Sequence, residues 1–205
     1  DSGLTPTDYW QSLWKDYHNP ENRMHYKATD KGPAYESADV SDSTYIDGLL
    51  TEKLIRDLKQ LKKNQKPFFL TAGFINTHLP FNAPKKYWDL YDRKNIKQPE
   101  NYNYVPKDAP KISISNWGEM RSYSNIPKQG QVSDSLAIDL IHGYYATVSY
   151  TDALIGKILK ELEDQQLSES TIVVLVSDHG FNLQEHTMWA KFTNYNTATQ
   201  VPLII

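Results

Sequence analysis

The sequence predicts an α/β layered domain built on a mostly parallel sheet. Two apolar runs, Phe68–Phe74 and Ile172–Ser177, have the composition of short buried strands. Two stretches, Thr51–Lys62 and Asp134–Gln165, repeat their apolar residues at helical spacing. Along the chain these alternate as helix, strand, long loop, helix, strand, loop, strand, the order expected of a sheet covered by helices. An α+β arrangement is the alternative.

Taken in order, Asp1–Val40 is polar, dotted with aromatics and broken by Pro6, Pro20, Gly32 and Pro33, so it reads as loop with one short helix around Tyr9–Tyr17. Leu54, Ile55, Leu58 and Leu61 then form the apolar stripe of an amphipathic helix, with Thr51 as its expected N-cap. Lys66-Pro67 leads into the first strand, whose end carries Asn76, Thr77 and His78. Two prolines exclude a helix interior from Leu79–Pro84, and Lys85–Tyr91 suits a brief helix. Asp92–Ser133 has little periodicity and is too long for an idle connection, so it is expected to be a functional or covering loop. From Leu136 to Leu162 the helical period persists, as two helices or as one kinked near Thr151 and Gly156. Val201–Ile205 opens a further strand that the last residue cuts off, and the chain is therefore expected to be a piece of a larger protein.

Composition narrows the function. At 205 residues and net charge −3, with no basic tract longer than a pair such as Lys62-Lys63, nothing supports nucleic-acid binding. The absence of cysteine leaves no disulfide framework, thiolate metal site or cysteine nucleophile in these residues. No apolar run approaches the roughly 18 residues of a membrane span, and no secretory signal pattern occurs. An aromatic content of 12% suits a carbohydrate-facing surface.

The chemistry is expected around Thr171–Lys191, TIVVLVSDHGFNLQEHTMWAK. An apolar run ending in a carboxylate and an imidazole is the pattern of a strand delivering polar groups to its carboxyl end, where open α/β sheets hold their ligands. Asp178 and His179 would face opposite ways on a continuing strand, so Gly180 is read as the break that lets both serve one site. A short loop bearing Glu185 and His186 then returns Trp189 and Lys191 towards the acidic strand end. These residues suggest an anion-binding metal site.

The stretch SDHGFNLQEHTMWAKFTNYNTATQVPLII resembles the metal- and sulfate-binding segment of the sulfatases, in the iduronate-2-sulfatase-like branch, where SDHG, GEHG, W-x-K-x-[ST]-N and AT-x-VPLI recur in that order. KPFFLTAGFINTHLPFNAPKKYWDLY is similar to a second family stretch, and GPAYESADVSDSTYIDGLLTEKLI and YYATVSYTDALIGKILKELEDQQLSESTIVVLVSDHG to two more. Together they cover most of residues 32–205 apart from the variable 92–133 loop. The resemblance implies an alkaline-phosphatase-like sandwich, of which residues 1–205 would be the central part. It implies a sulfuric ester hydrolase acting on a sulfated sugar in a periplasmic, secreted or lysosomal compartment.

Carried over by position, Asp178 and His179 would be two ligands of a divalent cation, calcium by resemblance, with the remaining ligands expected upstream of Asp1. Residue types alone leave manganese, zinc or magnesium open. Lys191 would hold a sulfate oxygen, and His78 would hold another or protonate the leaving alcohol. His186 is a weaker substrate-binding candidate. Trp117 is expected to stack sugar rings, and Lys85, Lys86 and Arg121 to meet acidic ones.

The departures are specific. The family's H-x-P-H is Ile75-Asn76-Thr77-His78 here, without the first histidine, and GEHG is Gln184-Glu185-His186-Thr187, without either glycine. The motif C-x-P-S-R, whose cysteine or serine becomes formylglycine, is absent from these residues, so the nucleophile and the other sulfatase segments are expected outside them. A phosphoester or phosphonate hydrolase of the same superfamily is the alternative enzyme, and an inactive binding fragment the alternative without catalysis.

Overall fold

The computed structural model describes residues 16–205. The helix expected at Tyr9–Tyr17 falls almost wholly outside them. The first described helix is α1, Pro20–Thr29, with proline at its start, where a missing N–H is harmless. Strand β1, Tyr35–Ala38, carries the buried Glu36, whose carboxylate accepts the His18 and Asn19 amides at 2.6 and 3.0 Å, Asn22 Nδ2 at 2.8 Å and the Tyr45 hydroxyl at 2.9 Å. A buried carboxylate is tolerable only when saturated with donors in this way. Neither α1 nor β1 was expected from the polar N-terminal sequence.

Helix α2 runs over Ile46–Asn64 and buries Thr51, Leu54 and Leu58. It begins before the expected cap: Thr51 lies inside it, its hydroxyl donating to the Asp47 carbonyl at 2.8 Å. The start is set instead by the Asp16 carboxylate, which accepts the Ile46 amide at 2.9 Å. The strand expected at Phe68–Phe74 does not form, and Phe69 is 92% exposed, because no neighbouring strand among the described residues pairs with it. Strand β2 lies further on, at Phe81–Pro84, and runs parallel to β1 with Tyr35 opposite Phe81 and Ala38 opposite Pro84. A proline at the end of an edge strand loses no ladder bond that the sheet needs. Helix α3, Lys85–Trp88, ends three residues earlier than expected.

The 92–133 segment contributes to the core. Through short 3-10 turns it places Trp117, Met120, Tyr123, Ile126 and Val132 in the main core, beside Phe81, Leu140 and Ile141. Its apolar residues have no period because they arrive on turns. Helix α4, Asp134–Asp164, is one helix of 31 residues, capped by Ser133, whose hydroxyl accepts the Leu136 amide. Its face packs on β2 and α3, and Gly143 allows the approach: a Cβ there would lie 2.9 Å from the Trp88 ring and 3.0 Å from Phe81 Cβ.

Beyond α4 the sheet is small. Strand β3 is only Leu175–Val176, and Ile172, Val174 and Val176 are exposed, so the expected buried strand is short and open. Strands β4, Asn182–Leu183, and β5, Trp189–Ala190, form an antiparallel hairpin. After the one-turn helix α5, Asn196–Thr199, strand β6, Leu203–Ile204, pairs antiparallel with β3. The α/β class holds, but among the described residues only β1 and β2 pair in parallel. No helix among them is long and apolar enough to cross a membrane.

Candidate functional site

His78 stands at the end of a turn that α2 anchors. Asp47, in the first turn of that helix and fully buried, accepts the Ile75 amide at 3.0 Å and the Asn76 amide at 2.8 Å, and the His78 amide closes the turn on the Ile75 carbonyl at 2.8 Å. Burial pushes the Asp47 carboxyl up to about 6, against the pull of those amides. A cavity of about 20 Å³, lined by Asp16, Asp47, Asn82 and His78 among others, lies beneath the turn and has room for one water.

Lys191 arrives from the other side, on the residue after β5. The hairpin is pinned by Asn182, fully buried, whose side-chain amide donates to the Ala190 carbonyl at 2.7 Å. Ala190 holds φ at 68°, a left-handed conformation that turns Lys191 inward. Within the hairpin, Gln184, His186 and Thr187 also have positive φ, at 85°, 51° and 68°. Gln184 and Thr187 are the two positions where the family pattern has glycine. The loop therefore keeps a glycine-type backbone without glycines, at a cost of about 1 kcal/mol or more per residue.

The two cations converge on Glu119. Its Oε1 lies 2.8 Å from His78 Nε2 and its Oε2 3.6 Å from Lys191 Nζ, an ion pair slightly longer than a hydrogen bond. Oε2 is buried and makes no hydrogen bond among the described residues. The contact with His78, then the charge of Lys191, holds the Glu119 carboxyl below the usual carboxylate range although burial opposes it. His78 Nδ1 meets the Leu79 carbonyl at 2.6 Å, so both ring nitrogens face acceptors. Glu119 lies in the aperiodic segment and was not singled out from sequence. Its spacing from His78 and Lys191 carries no signal.

Asp178 and His179 sit just beyond β3. The Asp178 side chain is 86% exposed, and its Oδ2 lies 3.6 Å from His179 Nε2. His179 Nδ1 meets the Gly180 carbonyl at 2.8 Å, which suits a tautomer whose Nε2 carries the lone pair a metal needs. Gly180 itself is required for close packing: its amide donates to the Ala198 carbonyl, and a Cβ would lie 2.1 Å from the Thr197 carbonyl oxygen. The pair fits part of a hard cation's shell, which takes about six to eight ligands in the case of calcium. No group of three or more His, Cys, Asp or Glu among the described residues completes it.

Other candidates are placed elsewhere. Trp117 is 2% exposed and lies under Arg121, whose guanidinium carbon is 3.4 Å from the ring centroid, so it is a core residue and cannot stack a sugar. Arg121 donates to the carbonyls of Asn116, Pro127 and Gly130, Lys86 pairs with Asp42 at 2.6 Å, and Lys85 pairs with Asp89. His186 packs between the rings of Tyr104 and Tyr195, with Nε2 3.1 Å from Asn101 Nδ2. His142 meets the Trp88 carbonyl at 2.8 Å, as a packing residue does. A larger hollow of about 570 Å³ between the end of α4 and Ser168–Val173 is lined by none of the candidates.

The Sulfatase family model matches residues 7–205. Human iduronate 2-sulfatase (Homo sapiens) is 36% identical over 175 residues, covering 81% of this chain and 31% of that protein. The mouse enzyme (Mus musculus) is 34% identical over 174 residues, covering 82% and 31%. In fold, the phosphonate monoester hydrolase SpPMH of Silicibacter pomeroyi is similar with a TM-score of 0.68 at 19% identity, over 98% of this chain and 38% of that one. BT4656, solved with its substrate D-glucosamine-2-N,6-O-disulfate, gives 0.62 at 21%, over 78% and 42%. These likenesses place the α/β architecture among alkaline-phosphatase-like folds. The chain spans 31% of the length of its iduronate 2-sulfatase relatives. With a family model matched along nearly its whole length and better than a third of its aligned residues shared with the human enzyme, it belongs to the sulfatase family.

Proposed function

We propose that the protein containing this chain hydrolyses sulfate esters and that His78 and Lys191 form the cradle for the sulfate group. The observation that carries this reading is their convergence, from opposite sides of the fold, on one carboxylate: the point Glu119 occupies is one where two cationic donors meet an oxyanion. Lys191 would neutralise charge on a sulfate oxygen. His78, fixed through Asp47 and the Leu79 carbonyl, would bind a second oxygen or give its proton to the departing alcohol.

Asp178 and His179 would hold part of a divalent metal site, calcium by family. Bound there, the ion would supply Lewis-acid charge towards the sulfate oxygens. A formylglycine hydrate from outside these residues would supply the nucleophile. The iduronate 2-sulfatase relatives and the disulfated glucosamine bound to BT4656 support a sulfated sugar as substrate, and with it a compartment outside the cytoplasm. The fold likeness to a phosphonate monoester hydrolase supports the second reading.

His78→Ala and Lys191→Ala in the whole protein test the proposal. Each is expected to lower turnover of an aryl sulfate by about two to three orders of magnitude, the usual loss for a placed acid or charge, with little change in thermal stability. Turnover near that of the parent would remove both residues from the site. Hydrolysis of phosphonate monoesters but not sulfate esters would favour the second reading.

A further inference from the structure

We propose that Glu119 is a specificity-determining residue that sets the charge of the site, so that it accepts esters carrying one negative charge and disfavours dianionic phosphate monoesters. This rests on the reading of His78 and Lys191 as the anion cradle.

Lys191 brings a positive charge to the point that His78 Nε2 also faces, and Glu119 sets a carboxylate against it, 3.6 Å from Lys191 and 2.8 Å from His78. A sulfate monoester brings a single negative charge to that point. A phosphate monoester above its second ionisation carries close to two, and its second charge would face the carboxylate. Glu119 is well placed to exert this effect. Its side chain is 19% exposed and that of Lys191 15%, so water screens the contacts weakly. Among the described residues the group facing Oε2 is the Lys191 ammonium, at 3.6 Å. The contact with His78 and the charge of Lys191 hold the Glu119 carboxyl below the usual carboxylate range, which favours the ionised form. The other titratable groups nearby are Tyr123, which feels the Glu119 charge, and Asp16 and Asp47, which line the cavity below His78. Like-charge juxtaposition is a common way to reject a competitor of similar shape.

The test measures binding of phenyl sulfate, phenyl methylphosphonate and phenyl phosphate by calorimetry at pH 8, using the whole protein as parent and as Glu119→Gln and Glu119→Asp. Glu119→Gln should tighten phenyl phosphate about tenfold or more relative to phenyl sulfate, the scale expected for removing a like charge from a weakly screened site. Glu119→Asp, which keeps the charge, should stay near the parent ratio. A change confined to general destabilisation would weaken all three ligands together and overturn the proposal, as would an unchanged ratio. A measurement on the parent alone covers a Glu119→Gln variant that does not fold: between pH 8 and pH 5.5 phenyl phosphate gains a proton, and its affinity should rise relative to phenyl sulfate. No relative rise overturns the proposal. Phenyl methylphosphonate, also a monoanion, should follow phenyl sulfate, and which of the two is turned over separates a sulfatase from a phosphonate hydrolase. If none of the three binds, the cradle reading fails first. If all bind regardless of charge, only the role of Glu119 fails.

Discussion

The Asn76 amide donates to the fully buried Asp47 carboxylate over 2.8 Å, and this bond fixes the turn that presents His78. Asp47→Ala would leave two amides without their acceptor, at about 1–3 kcal/mol for each buried donor left unpaired. The loss depends on pH in a defined direction. Burial holds the folded carboxyl at about 6, above the ordinary range of an aspartate, so the folded state binds the proton more tightly. Its contribution is fully present below the unfolded value and declines as pH rises towards about 6. Urea unfolding of parent and variant should therefore differ more at pH 4 than at pH 7, and equal differences would refute a buried, proton-binding Asp47.

Thr187 should be improvable. A β-branched residue at φ 68° is strained, and its place is one where the family pattern has glycine. Thr187→Gly should raise stability by up to about 1 kcal/mol, or roughly 2–4 °C in Tm for a chain of this size. Calorimetry showing a lower Tm would mean the threonine side chain contributes more than its backbone costs.

Metal binding in the whole protein should depend on Asp178 more than on His179, since a hard cation takes charge as well as a ligand from a carboxylate. Asp178→Ala binding calcium as tightly as the parent would misplace the ion.

Trp117→Ala should act on folding. Removing a buried tryptophan costs about 3–5 kcal/mol, and here it also strips Arg121 of the ring it lies on. Thermal denaturation should show that loss. A variant of parental stability with weakened glycan binding would return Trp117 to the substrate surface.

Much of this architecture was legible where the physics is local. The stripes of α2 and α4 declare themselves because each turn of helix repeats the demand for an apolar residue on one face. His78 and Lys191 are singled out by motifs whose residues lie close in sequence, and the structure brings the two together at Glu119. Glu119 is not singled out so, because what places it is packing: Met120 and Trp117 anchor its turn in the core, and neither carries a periodic mark. Strand β2 was hidden by Pro80 and Pro84, which exclude a helix without announcing a strand. The runs at Phe68–Phe74 and Ile172–Val176 have strand composition but few strand partners among the described residues, and composition cannot supply a neighbour.

The parallel register of β1 on β2 also orders events in time. Tyr35 reaches Phe81 only after the chain between them, all of α2 included, has closed on itself, and closing a longer loop costs more entropy. Helix α4 makes its backbone bonds between near neighbours and faces no such delay. On a ribosome, β1 emerges before α2, before its partner strand, and before the helix that packs across both. Among the described strands the one made earliest waits longest, with the Glu36 carboxylate holding the His18 and Asn19 amides meanwhile.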